Sequence, residues 1–232
     1  MPLTDAAQAT WSAVDALFEQ LLIGEDEALA RVTHNNLQHN LPPIAVSAAQ
    51  GKLLHLLARL GGARHILEIG TLGGYSTIWM ARALAHGNAT YDGLITTLEI
   101  NPQYAAIATE NFKAAGVASL IDLHRGPAIE TLPILHRTMT RPYDMVFIDA
   151  DKPSNAAYLS WALKMSRPGT LIIVDNVVRD GAILDPDPDD KSRGALDALK
   201  LLGSLPSISS TALQMVGTKG YDGFALGIVN SV

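Results

Sequence analysis

The stretch that most limits what this chain can fold into is residues 66–76, Ile-Leu-Glu-Ile-Gly-Thr-Leu-Gly-Gly-Tyr-Ser. Ile66, Leu67 and Ile69 make a short apolar run of strand type that stops at Gly70. Gly73 and Gly74 follow, and residues 75–84 then take up helical spacing. Strand, glycine turn and helix in that order open a βαβ unit of the nucleotide-binding kind, in which glycines let the main chain approach a ligand beside a helix N-terminus. The spacing is G-x-x-G-G, not the dinucleotide G-x-G-x-x-G, and Leu72 stands where the second glycine belongs. Glu68 lies inside the strand end, and a carboxylate there suits a cationic or hydroxyl-rich ligand better than a pyrophosphate.

Downstream, strand-like and helical segments alternate. Strands are expected at residues 94–98, 121–124, 145–148 and 171–174, with helices at 102–115, 128–135, 155–165 and 192–202. Residues 207–216 and 224–229 read as a closing hairpin joined through Lys219-Gly220-Tyr221-Asp222-Gly223. Alternating βα units predict an α/β, Rossmann-like, doubly wound sheet of seven strands, mostly parallel, with one antiparallel strand near the C-terminus. Ahead of it, residues 4–22 place Trp11, Val14, Leu17, Phe18, Leu21 and Leu22 at helical intervals, with Thr4 or Asp5 as a cap. This extra helix reads either as packing or as a dimer or lid element. Residues 34–40 read as a polar loop ending in Pro42-Pro43, its His34 and His39 as surface histidines rather than ligands. Residues 47–60 form a further helix ended by Gly61-Gly62.

With 232 residues the chain suits one domain, a helical extension (1–43) on a catalytic core (44–232). A hydrophobic content of 48% against 17% charged residues fits a globular protein, and the net charge of −6 disfavours a general nucleic-acid or anionic-membrane binder. The absence of cysteine excludes disulfides and thiolate metal sites. With neither a targeting segment nor a long apolar run, a cytoplasmic protein is expected.

Four acids fall at expected strand ends: Glu68, Glu99, Asp149 and Asp175. In an open parallel sheet this edge faces the ligand, and four carboxylates there need a cationic counterpart. Glu99 is placed to bond a ribose diol. Asp149, Asp175 and Asn176 offer oxygen donors from two strand ends, which suits Mg²⁺ or Ca²⁺ with positions left for water or substrate, and Lys152 could reach the same point. Capped turns would use the same residue types.

Taken in order, Leu-Glu-Ile-Gly-Thr-x-x-Gly-Tyr-Ser, Gly126-Pro127-Ala128, Phe147-Ile148-Asp149-Ala150-Asp151-Lys152 and Asp175-Asn176-Val177 closely resemble the cation-dependent class I S-adenosylmethionine O-methyltransferases, the caffeoyl-CoA and catechol O-methyltransferase group with its bacterial relatives. The resemblance runs from about residue 44 to the C-terminus. It implies a metal (Mg²⁺, or Ca²⁺ or Mn²⁺) on Asp149, Asp175 and Asn176, with Lys152 as catalytic base. It also implies S-adenosylmethionine contacts from Val46, Glu68, Gly70, Ser76, Glu99, Ala128 and Asp151, and a small phenolic acceptor near Asp149. Arg179 and Asp180 stand where the plant enzymes carry a Trp and an Asn. The plant acceptor contacts, and a coenzyme A ester, therefore do not carry over, and Arg179 and Asp180 become the acceptor contacts expected here. A nicotinamide-dependent dehydrogenase is disfavoured by Leu72 and the acidic strand ends, and a non-catalytic nucleotide-binding protein has no use for the Asp149, Lys152, Asp175, Asn176 set. Trp11 and Phe18 on the first helix lead to an expected homodimer.

Overall fold

The apolar runs become strands because both of their faces are covered. The structure, a computed structural model, describes residues 5–85 and 93–231. Its strands are β1 (His65–Ile69), β2 (Leu94–Glu99), β3 (Ile121–Arg125), β4 (Tyr143–Ile148), β5 (Ser166–Asp175), β6 (Ile208–Gly217) and β7 (Gly220–Val229). They form one sheet in the order β3-β2-β1-β4-β5-β7-β6. Pairings among β1 to β5 are parallel, whereas β7 runs antiparallel to both β5 and β6. The expected seven strands, with one reversed, are all present.

Side-chain alternation divides the core in two. Ile66, Met145, Phe147 and Ile173 face a layer made by α2 (Glu27–Gln38), α3 (Ala48–Leu60), α4 (Tyr75–Leu84) and α5 (Pro102–Ala114). Leu67, Ile69, Val146, Ile148, Ile172 and Val174 face α6 (Ala128–Thr138), α7 (Asn155–Lys164) and α8 (Asp190–Ser204). From β1 the order runs to β2 and β3 on one side and to β4 and β5 on the other, so a crevice opens at the carboxyl ends of β1 and β4.

The N-terminal region departs from the sequence expectation. Residues 34–40 are not a loop, because His34 lies within α2, which begins at the N-cap Asp26 and runs to Gln38. Only Leu29 and Val32 of this helix are buried, so its apolar stripe is too thin to announce it. Its polar side chains are held by tertiary bonds instead. His34 and His39 are both exposed, as expected of surface histidines. The first helix, α1 (Asp5–Phe18), continues into one π-helical turn, Glu19–Ile23, and the proposed Thr4 cap lies outside the described residues. At the other end of the chain, Tyr221, Asp222 and Gly223 belong to β7, and the hairpin turn is confined to Thr218 and Lys219.

Candidate active site

Gly70 is where main chain meets main chain. Its φ is +103°, and a Cβ there would lie 2.2 Å from the carbonyl oxygen of Asp149. The strand ends of β1 and β4 thus touch without a side chain between them, with Asp149 N donating to Ile69 O at 2.8 Å. Gly74, the N-cap of α4, has φ +82° and lies against the ring of Phe112. Leu72 occupies the left-handed region too, with φ +50°. Its amide donates to Glu99 Oε2 at 2.7 Å, and Asn101 N donates to Oε1 at 2.8 Å. These bonds fix the Glu99 carboxylate at the end of β2.

Glu68 turns the other way, into the layer under α4, and is fully buried. Ser76 Oγ donates to its Oε1 at 2.6 Å, while Thr77 and Thr97 hydroxyls donate to Oε2 at 2.5 and 2.6 Å. Burial pushes its carboxyl up to about 7 against the opposing pull of these three hydroxyls. Glu68 therefore supports the turn from beneath and does not line the cleft.

At the ends of β4 and β5, Lys152 Nζ donates to Asp149 Oδ1 at 2.7 Å, and both Lys152 and Asp175 are buried. The Asp175 carboxyl is raised well above the usual range, by burial first and by the Asp149 charge second. Asn176 has φ +57°, and its amide donates to Asp175 Oδ1 at 2.9 Å. Asp151 accepts from Ser154 Oγ at 2.5 Å and from the Tyr158 hydroxyl, whose own ionisation is pushed up to about 12 by burial and by Asp151.

A metal on these residues passes the chemical test. Among the described residues no three His, Cys, Asp or Glu side chains converge. The set is instead two carboxylates and an amide, all oxygen donors, with one acid buried beside another. Lys152 offsets only part of the burial and of the Asp149 charge acting on Asp175, and the set fits a hard divalent cation.

These parts line a single cleft of about 1290 Å³. It exceeds the roughly 300–1,000 Å³ of ordinary ligand pockets, so it has room for a nucleoside-sized molecule and a small acceptor together. Of the residues singled out from the sequence, Val46, Gly70, Ser76, Glu99, Ala128 and Asp151 line it. Asp149, Lys152, Asp175, Asn176, Arg179 and Asp180 also line it, and Glu68 alone does not. Ile100 and Tyr104 line the cleft as well. They follow Glu99 into the first turn of α5 and could have been reached by continuing past that acid. Asp15 and Phe18 of α1, and Lys219 at the hairpin tip, join the wall from segments to which the sequence assigned no site residue.

An open sheet of this order, with a glycine turn after its first strand and acids at the carboxyl ends, defines a Rossmann-like methyltransferase fold. Comparison with known proteins agrees. Residues 20–213 match the O-methyltransferase family. Over 220 residues the chain is 47% identical to the catechol O-methyltransferase of Niastella koreensis, covering 94% of this chain and 97% of that one. The O-methyltransferase of Bacillus cereus, solved in complex with SAH, superposes with a TM-score of 0.92 at 45% identity, over 96% of this chain and 99% of that one. TomG, the Streptomyces achromogenes O-methyltransferase involved in tomaymycin synthesis and solved in complex with SAM, gives 0.91 at 48% identity, over 99% and 100%. The chain belongs to the O-methyltransferase family.

Proposed function

We propose that this enzyme transfers the methyl group of S-adenosylmethionine to one hydroxyl of a small catechol-like or hydroxycinnamoyl-type acceptor, with a divalent cation in the site. The observation that carries this reading is the buried Asp175 beside the Asp149–Lys152 pair, in the same cleft as the glycine turn and Glu99. The SAM and SAH complexes of two close structural relatives support the choice of methyl donor.

Glu99, already fixed by two main-chain amides, accepts from the ribose hydroxyls. The turn at Gly70 and the wall at Ala128 and Val46 seat the rest of the donor. Asp149, Asp175 and Asn176 would hold the cation. When bound, it offsets the two acids and lowers the pKa of a neighbouring phenol from about 10. Lys152 Nζ takes the acceptor's proton, the freed oxygen attacks the sulfonium methyl in line, and the carbon–sulfur bond breaks to release S-adenosylhomocysteine. An anion and a cation neutralise each other in this step. Polar stabilisation of the transition state therefore contributes little, and the rate comes mainly from holding oxygen, carbon and sulfur in a collinear near-attack arrangement. Arg179 and Asp180 border the acceptor end. No helix among the described residues is long and apolar enough to cross a membrane, and we read the enzyme as acting in the cytoplasm on a small molecule.

Methyl transfer to a diphenol, followed by mass gain, tests this directly. EDTA should stop turnover and Mg²⁺ should restore it. Asp175→Ala should lower kcat by about a hundredfold or more while changing S-adenosylhomocysteine affinity only a few-fold. Lys152→Ala should lower the rate by about the hundredfold typical of a lost proton-transfer group. Full activity of a metal-free preparation in excess EDTA would remove the cation and the role given to Lys152.

A further inference from the structure

Behind the glycine turn lies a cluster of three amides. Asn111, on α5 and 2% exposed, donates from Nδ2 to the carbonyl oxygen of Gly73 at 2.8 Å and to Asn36 Oδ1 at 2.9 Å. It accepts at Oδ1 from Asn35 Nδ2 at 2.8 Å. Both of its donor hydrogens are thus used, and Asn35 and Asn36 both come from α2. Asn36 also lies flat against Gly73, where an added Cβ would sit 2.1 Å from its Oδ1 and 2.4 Å from its Cγ. Gly73 has no positive φ. Its backbone would accept an alanine, and the Asn36 side chain supplies the three atoms nearest to such a Cβ. The far end of α2 is pinned as well: Asp26, its N-cap, pairs with Arg82 of α4 at 2.5 Å, a bond that holds the Asp26 carboxyl below its ordinary value. The helix spans the turn between α4 and α5 and is tied down on both sides.

We propose that Asn35, Asn36 and Asn111 are positioning residues for the methyl donor. Through them α2 clamps the glycine turn from behind, so that seating of α2 and occupancy of the donor site are linked. α2 then forms part of the donor site's support and is not an appendage to the core. The turn is main chain on the cleft wall at Gly70, Thr71, Leu72 and Gly73, and its shape decides which amides and carbonyls meet the ligand. If the clamp favours the ligand-binding shape, the bound ligand must favour the clamp by the same factor. This inference rests on the reading of the cleft as an S-adenosylmethionine site.

The test uses the full chain and S-adenosylhomocysteine. Hydrogen exchange followed by mass spectrometry should show slower exchange of α2 amides, as well as of the turn, when the ligand is added to the unmodified protein. Asn36→Ala and Asn111→Ala should each weaken the ligand by about tenfold, because each leaves a buried polar group without its partner, while acceptor KM at saturating donor changes less than about twofold. Asn36→Asp keeps the Oδ1 acceptor and should bind as the parent does. Gly73→Ala should bind poorly, and Gly73→Ala/Asn36→Ala should bind better than Gly73→Ala alone, since the second change removes the atoms that the new methyl meets. If the unmodified chain binds the ligand and α2 exchange does not change, the clamp is overturned and the donor site stands. Failure of the unmodified chain to bind S-adenosylhomocysteine overturns both. The exchange measurement needs no variant, so a substitution that prevents folding leaves the proposal open to refutation.

Discussion

At the scale of single residues, Glu68 is the most constrained group in the site. The register sets Thr97 directly beside it on β2, and the first turn of α4 brings Ser76 and Thr77 over it. Its carboxyl rises from 4.5 to about 7 on folding. Between those values the folded state keeps a proton that the unfolded chain releases, so stability falls as pH rises through the window and the penalty is complete above about 7. Glu68→Gln removes the titration. The melting temperature of the variant minus that of the parent should therefore climb from pH 4.5 to pH 8. A difference that stays flat would contradict the buried ionisation. The sequence showed an acid at a strand end and suggested a ligand contact. It could not show three hydroxyls closing on that acid, because Thr97 becomes its neighbour only when the sheet forms.

At the scale of elements, the loop after β5 depends on a residue from β7. Arg179, Asp180 and Gly181 all have left-handed φ, at +56°, +54° and +87°. For non-glycine residues this costs roughly 1–2 kcal/mol each, so something must hold the turn. Asp222 Oδ1 does so, accepting from the amides of Val178 and Arg179 at 2.9 and 3.0 Å. Asp222→Ala should raise acceptor KM by about tenfold and leave S-adenosylhomocysteine affinity within about twofold, because the lost bonds are worth roughly 1–3 kcal/mol and lie at the end of the cleft proposed for the acceptor. Asp222→Asn retains Oδ1 and should lose much less. Equal losses for both ligands would place the damage in the fold at large. The same residue shows where the sequence was legible and where it was not. Apolar runs marked the central strands β1, β4 and β5, and the acids Glu99, Asp149 and Asp175 at strand ends marked the cleft, because both signals are local. Asp222-Gly223 read as a turn for the local reason that Asp-Gly favours one. Its actual work is done on a loop more than forty residues earlier. Likewise residues 34–40, which include the end of α2, read as a loop because the partners that hold this helix, Arg82 and Asn111, are far along the chain.

At the scale of the whole molecule, the N-terminal region leaves apolar surface uncovered. No residue of α1 is buried, Leu17 is 49% exposed, and Leu21 and Leu22 in the π-helical turn are 68% and 72% exposed. α1 is tethered to the hairpin by Gln8, which donates to Gly217 O, and by Asp15, which accepts from Thr218 N, so this strip is held in place facing outward. A second copy covering it would gain about 25 cal/mol for each Å² of apolar surface removed from water. Light scattering at micromolar concentration should accordingly give twice the 24.7 kDa chain mass, and Leu21→Glu/Leu22→Glu should reduce it to one chain. A monomer without any substitution would rule out the dimer.

The placement of β7 also has a consequence for how the enzyme is made. Asp175 ends β5, and the strand that pairs with it carries Phe224 at the matching position, about fifty residues later. At about 5–20 residues per second of synthesis, the acid-bearing edge of β5 stays bare for several seconds after Asp175 has been added. During that interval the nascent chain exposes an unpaired, apolar strand edge of the kind that captures other chains. Catalytic competence must therefore wait until the β6–β7 hairpin has left the ribosome and closed the sheet.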